Sequence, residues 1–217
     1  MDGIGFIAIF ASMAVLLSAL NIGLIRYFSE GEKISMTMQV VIACLTVVSL
    51  YAADKISDRP IADIVFATLL IVTGGIDYKT KTIVTGTIYL GGFLAMGLSL
   101  LYGKAPLDMI LGGVAGFTIY LAIYFVAKAF YKKEAFGYGD VIFMGAIGGY
   151  LGFWHGLLAS VLTFYVALVF ILLFALLGKI FSKKAEVAFA PFMALSAWLV
   201  SNYGDRLISL YTNLFLK

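Results

Sequence analysis

The chain has 217 residues, 63% hydrophobic and 12% charged, with a formal net charge of +3 and a mean hydropathy of +1.05. Soluble domains are roughly half apolar and about a quarter charged, so this composition excludes an ordinary soluble protein. The small charge and scattered lysines give no nucleic-acid surface, and a single cysteine, Cys44, permits neither an internal disulfide nor a thiolate zinc cluster.

Charges gather in short clusters between long uncharged runs, among them 84–103, 109–127 and 141–178. A bilayer core about 30 Å thick takes about 20 helical residues at 1.5 Å each. The alternation of a membrane barrel strand is absent. Taken in chain order, the apolar runs predict eight helical segments at 4–25, 36–53, 61–76, 84–102, 108–128, 141–153, 156–178 and 188–209. The first follows Asp2 with no preceding base, the wrong charge for a cleaved leader, and reads as a spanning helix. The third and sixth are short and are expected to stop below one surface or to rest on protein. The run 141–178 is expected to break near Trp154-His155-Gly156. Glycines inside the segments (Gly91-Gly92, Gly112-Gly113, Gly145, Gly148-Gly149) let helix backbones approach closely in lipid. With no repeat, low-complexity tract or long linker, residues 1–217 are expected to form one domain, an all-α polytopic transmembrane helical bundle.

Counting Lys and Arg in alternate loops gives the orientation. One side holds Arg26, Lys33, Lys79, Lys81, Lys128, Lys132, Lys133, Lys179, Lys183 and Lys184; the other holds Lys55, Arg59, Lys104, Arg206 and Lys217. The positive-inside rule places the first set in the cytoplasm and both termini outside.

Two acids stand at helix edges on that cytoplasmic side. Asp77 follows Gly74-Gly75-Ile76 at the end of segment three, and Asp140 closes Phe136-Gly137-Tyr138-Gly139 at the start of segment six. An ionisable group beside hydrocarbon is costly unless solvated, paired or lining a cavity, which makes each a functional candidate. Two carboxylates about 3 Å apart hold one proton between them. The ionised member then takes a proton from water while the protonated member polarises a scissile carbonyl, with neither metal nor cofactor. Gly137 and Gly139 are expected to allow positive φ and close approach to a substrate strand. A nearby helix N-terminus would favour the charge on Asp140. Structural readings stand beside this one: Asp140 as a helix N-cap, and Asp77 as a loop acid paired to a lysine.

Other ionisable residues read as structural. Asp54, Asp58, Asp63, Asp108 and Asp205 fall on the outer side as solvated loop or cap residues, and Glu30, Glu32, Glu134 and Glu186 lie among inner-loop bases. His155 stands between apolar runs with no evident acid or serine partner. The sequence contains no His-Glu-x-x-His, Walker loop or Gly-x-Ser-x-Gly.

These residues resemble the type IV prepilin peptidase family of Gly-x-Gly-Asp membrane aspartyl peptidases. The resemblance rests on Asp77-Tyr78-Lys79-Thr80-Lys81-Thr82-Ile83, on Phe136-Gly137-Tyr138-Gly139-Asp140-Val141 continuing through Gly145 to Gly152, and on Ala190-Pro191-Phe192-Met193-Ala194-Leu195. It implies that Asp77 and Asp140 are the catalytic acids, that Gly137, Tyr138 and Gly139 form the active-site loop, and that Pro191 supports the substrate site. It further implies leader removal from prepilins or pseudopilin-like substrates at the cytoplasmic face of the cell inner membrane. The chain departs from the family pattern in reading Ile83-Val84-Thr85 where many members have Ile-Pro-Asn, and Phe189-Ala190-Pro191 where many have Phe-Gly-Pro. Bifunctional members carry a zinc-binding domain with paired cysteines that accompanies N-methylation. With only Cys44 and a short first inner loop, this chain is expected to be a peptidase alone.

An archaeal preflagellin peptidase would keep the same chemistry. A presenilin-like protease fits less well, because that group has a Tyr-Asp pair and a Pro-Ala-Leu where this chain reads Asp77-Tyr78 and Pro191-Phe192-Met193. A small transporter or scaffold is the non-enzymatic alternative; transporters place such acids near the midplane and show internal duplication.

Overall fold

The computed structural model of the protein describes residues 3–31, 33–131, 136–177 and 187–215. Eight helices account for nearly all of them: α1 (Gly3–Phe28), α2 (Met36–Lys55), α3 (Pro60–Thr80), α4 (Thr85–Leu101), α5 (Pro106–Tyr131), α6 (Tyr138–Leu151), α7 (Phe153–Leu176) and α8 (Ala190–Phe215). Five of these, α1, α2, α3, α5 and α7, contain stretches long and apolar enough to cross a membrane. The inner-loop bases Lys132, Lys133, Lys179, Lys183 and Lys184, the acids Glu32, Glu134 and Glu186, and Lys217 lie outside the described residues.

Local chemistry sets the helix ends. The Ser35 hydroxyl accepts the Met38 N–H at 3.3 Å and caps α2. Pro60 occupies the first turn of α3, where its missing N–H costs nothing. Gly152, at φ 88°, supplies the left-handed residue between α6 and α7. The break thus falls at Gly152 rather than at Trp154-His155-Gly156, which form the first turn of α7. The third segment is also longer than the apolar run implied: α3 has 21 residues and carries Asp77 inside its last turns, ending only where Lys81 turns left-handed at φ 56°. The sixth helix is short, at 14 residues, and rests on protein.

Glycines bring the central helices into backbone contact. A Cβ placed on Gly112 of α5 would overlap the Gly148 carbonyl oxygen of α6, and one on Gly116 would lie 2.6 Å from the Met144 oxygen. Gly156 of α7 meets the same stretch of α6, its added Cβ falling 2.9 Å from Gly148 Cα. α6 is therefore held by α5 and α7, and its inner face carries the main core, including Val141, Phe143, Met144, Ile147 and Tyr150, each fully buried. A smaller apolar cluster around Ile25, Ile42, Val72 and Ile76 joins α1 and α2 to α3.

The end of the bundle remote from Asp77 and Asp140 is also knit by polar contacts. Asp63, in the first turn of α3, is not a solvated loop residue: its Oδ1 accepts from the Tyr150 hydroxyl of α6 at 2.6 Å and from Ser201 of α8 at 3.1 Å, and Oδ2 accepts from Ser57. Arg59 donates to Ser99 of α4 at 2.5 Å. Asp108 receives the Phe153 N–H at 2.9 Å, capping α7 from another helix, and pairs with Lys104. His155, expected to lack an acid partner, pairs with Asp205 at 3.1 Å; the two are 50 residues apart, and only the packing of α7 on α8 brings them together.

Candidate active site

Asp77 and Asp140 reach the same end of the bundle from different helices, and both are buried, at 5% and 7% exposure. Burial of this degree is unusual for an aspartate unless it has partners. Asp77 Oδ2 accepts the Ala190 N–H at 2.9 Å. That N–H belongs to the first residue of α8, so the carboxylate occupies the positive end of a helix donated by a segment 113 residues away. Lys81, one turn further on, also acts on Asp77 through its charge.

Asp140 lies in the first turn of α6, whose N-cap is Gly137. Its N–H donates to the Gly137 oxygen at 3.1 Å. Its Oδ1 is buried with no hydrogen-bond partner among the described residues. It is therefore not the N-cap, and one of its oxygens is left without protein partners among those residues. Asp140 is set first by its burial and next by the charge of Asp77, which is near enough to act on it.

The glycines of the loop serve proximity rather than positive φ. Gly137 has φ −75° and Gly139 is helical. A Cβ on Gly137 would stand 3.0 Å from Asp140 Oδ2, and one on Gly139 would stand 2.8 Å from Ile83 Cβ. Tyr138, between them, is 51% exposed and projects outward. Pro191 packs its backbone on Gly74, whose added Cβ would lie 3.4 Å from Pro191 Cα. That contact holds the start of α8 against α3, one turn from Asp77.

An aromatic cluster ties these pieces together. The ring of Tyr120, on α5 and fully buried, lies 5.7 Å from Phe136 and 6.5 Å from Phe189, which themselves meet edge to face at 5.5 Å. Phe136 precedes the Gly137 turn and Phe189 precedes Ala190, so the cluster fixes both chain segments that frame the acids. Sequence reasoning did not single out Tyr120, and it named Phe189 only as part of the Phe189-Ala190-Pro191 stretch. A tyrosine in an otherwise apolar run was the available signal for Tyr120, because a buried phenol needs a partner, here the Ser160 carbonyl at 3.3 Å.

The family model described as the type IV leader peptidase family matches residues 64–181. This stretch is more than half of the chain and contains both acids. The chain belongs to that family. Similar proteins include the prepilin leader peptidase/N-methyltransferase of Aeromonas hydrophila, 28% identical over 127 residues, which are 58% of this chain and 40% of that protein. That of Aeromonas salmonicida (strain A449) is 31% identical over 128 residues, 58% of this chain and 42% of the relative. That of Xanthomonas campestris pv. campestris is 26% identical over 158 residues, 68% and 52% respectively. The chain thus spans about half or less of the length of these relatives. No solved structure matches it significantly. Family membership and the apolar helices together make the chain a multi-pass membrane protein.

Proposed function

We propose that this type IV leader peptidase family member is an aspartic endopeptidase that removes the leader of prepilin or pseudopilin-like substrates at the cytoplasmic face of the inner membrane, using Asp77 and Asp140. The observation that carries this reading is the convergence of two buried carboxylates, from α3 and α6, at one end of the bundle with an Asp140 oxygen left unpartnered among the described residues. One shared proton would leave one acid charged. The charged acid accepts a proton from water as the water oxygen attacks the scissile carbonyl carbon, while the other acid's proton goes to the carbonyl oxygen. Collapse of the tetrahedral intermediate expels the amine, which takes up a proton from the pair. Gly137 keeps the approach to Asp140 free of side-chain bulk, and Ala190 N–H orients Asp77.

The names of the relatives join leader peptidase with N-methyltransferase. The two buried carboxylates bear on peptide cleavage, and the proposal concerns that step alone. Both termini are assigned to the face opposite the acids, in keeping with the loop charges.

The test is co-expression with a prepilin-like protein, comparing the parent with Asp77→Asn and Asp140→Asn. Asparagine still offers an oxygen to the Ala190 N–H, so it preserves a capping role and removes only the acid. Loss of leader removal in both variants is the expected result. Intact processing in either variant would leave that acid a structural role only.

A further inference from the structure

A lateral groove of about 990 Å³ opens between α4 and α5, with α6 as its floor. α4 contributes Tyr89, Phe93 and Gly97 to its wall, and α5 contributes Ile110 and Val114. The floor is Tyr138, Ile142, Gly145, Ala146 and Gly149, residues at helical spacing along one face of α6. From Tyr138 to Gly149 this face is about 17 Å long at 1.5 Å per residue. Among the described residues, the lining carries no hydroxyl, amide or charged side chain apart from Tyr89 and Tyr138, and both tyrosines stand at the end of the groove nearest the acids. Gly97 faces open space, with nothing within 4 Å of an added Cβ.

The groove and the acid lie on opposite faces of α6. Asp140 is two residues from Tyr138, about 200° around the helix, and points into the core with Met144, Ile147 and Leu151. The two faces meet only at the N-terminal edge of α6. There Tyr138 lines the groove, while its neighbour Gly137 is exposed and lies over Asp140 Oδ2, 3.0 Å from an added Cβ. A chain leaving the groove in extended form crosses from Tyr138 to Gly137 and arrives at the carboxylate.

We infer that the groove seats the apolar helix of the substrate, with the scissile segment unwound across Tyr138-Gly137 to reach Asp140. This deepens the peptidase reading and rests on it. The occupant follows from the lining. An apolar trough with glycine on floor and wall suits a helix backbone in lipid. A tyrosine pair at one end suits the point where such a helix leaves the hydrocarbon. The end of the groove at the Gly137 turn fits a peptide continuing to the acid and gives an acyl chain nothing to continue toward.

The experiment places a photoreactive benzoylphenylalanine at Phe93 or Ile110 in the full chain carrying Asp140→Asn, co-expressed in membranes with a prepilin-like substrate. Leu168, exposed on α7 away from the groove, is the control position. Crosslinks from Phe93 and Ile110 to the apolar segment of the substrate, absent at Leu168, are expected. Crosslinks only to lipid, only to a second copy of this chain, or equally from Leu168 overturn the groove as the docking site. Gly97→Trp supplies a second measurement, because Gly97 lines the groove and nothing stands within 4 Å of an added Cβ there, so the larger side chain takes up groove space. It should raise KM for the helix-bearing substrate about tenfold and leave kcat within about twofold, the pattern of lost uniform binding; an unchanged KM overturns the inference. Cleavage by the parent chain separates the two levels. A parent that cleaves while groove positions fail removes the groove alone, and a parent that cleaves no leader removes both readings.

Discussion

Asp63 and Asp77 sit at opposite ends of the same helix, and each meets α6 and α8, yet their surroundings differ in kind. Asp63 is saturated by hydroxyls from Ser57, Tyr150 and Ser201. Asp77 has a backbone N–H from Ala190 and a second carboxylate for a neighbour, and that neighbour's Oδ1 has no partner among the described residues. A carboxylate whose oxygens are all occupied stabilises the fold and offers nothing to a reactant. A buried carboxylate with an oxygen left short of donors is costly to the fold and available for chemistry. Position at a helix end does not separate the two cases; saturation does.

Replacing the acids at both ends gives the largest contrast. Asp77→Asn and Asp140→Asn are expected to lower leader cleavage by at least about 10²–10⁴-fold, the range supplied by positioned acid–base groups. Asp63→Asn should leave it within a few-fold. Processing of a prepilin-like substrate in membranes, followed by the mobility shift on leader loss, reads all three. If Asp63→Asn abolishes cleavage while the protein stays folded, the division between the two ends fails.

Packing at the glycine seam should rank next. Gly116→Leu places side-chain atoms where the Met144 carbonyl stands, and a backbone group cannot swing aside as a side chain can. Overpacking of well-packed sites costs typically about 1–3 kcal/mol, occasionally more. The expected outcome is a lowered yield of folded protein in detergent, with Gly97→Leu as the tolerated comparison because Gly97 faces open space.

Stability should then move in opposite directions at the two carboxylates. Asp63→Ala strands the buried Tyr150 hydroxyl and is expected to cost about 1–3 kcal/mol. Asp140→Ala removes a buried oxygen that the described protein does not satisfy, and is expected to stabilise by about 0.5–2 kcal/mol, as substitutions that trade function for stability do. Thermal unfolding in one detergent reads both. Two changes of the same sign would show that the unpartnered oxygen is not a stability cost.

Much of this was legible in the sequence, and the limits have physical causes. Long uncharged runs located the eight helices because a bilayer demands length and apolarity. The boundary at Asp77 was missed because α3 continues through Asp77-Tyr78-Lys79-Thr80 after its apolar run stops, and hydropathy reports lipid contact rather than helical hydrogen bonding. Asp77 and Asp140 were found as acids at helix edges on one side. Their saturation could not be read, since Ala190 is 113 residues from Asp77 and Tyr150 is 87 from Asp63. The Gly137 and Gly139 positions were legible but their reason was not: they admit the Asp140 carboxylate and Ile83, contacts set by tertiary packing rather than by φ.

The smallest effect is expected at a pair that no pattern in the chain pointed to. His155 and Asp205 meet at 3.1 Å, but the Asp205 side chain is 97% exposed. A solvated charge gains little from one partner, because water competes for it and salt screens it. Asp205→Asn should therefore leave the unfolding temperature and cleavage unchanged within error. His155→Ala should show a small loss that salt does not alter, because the imidazole also packs on Gly204, whose added Cβ would lie 2.8 Å from His155 Nε2. Unfolding curves at low and high salt distinguish the two contributions. A salt-dependent loss in Asp205→Asn would make this exposed pair a real tie between α7 and α8, and the contrast between satisfied and unsatisfied acids would then need a third class.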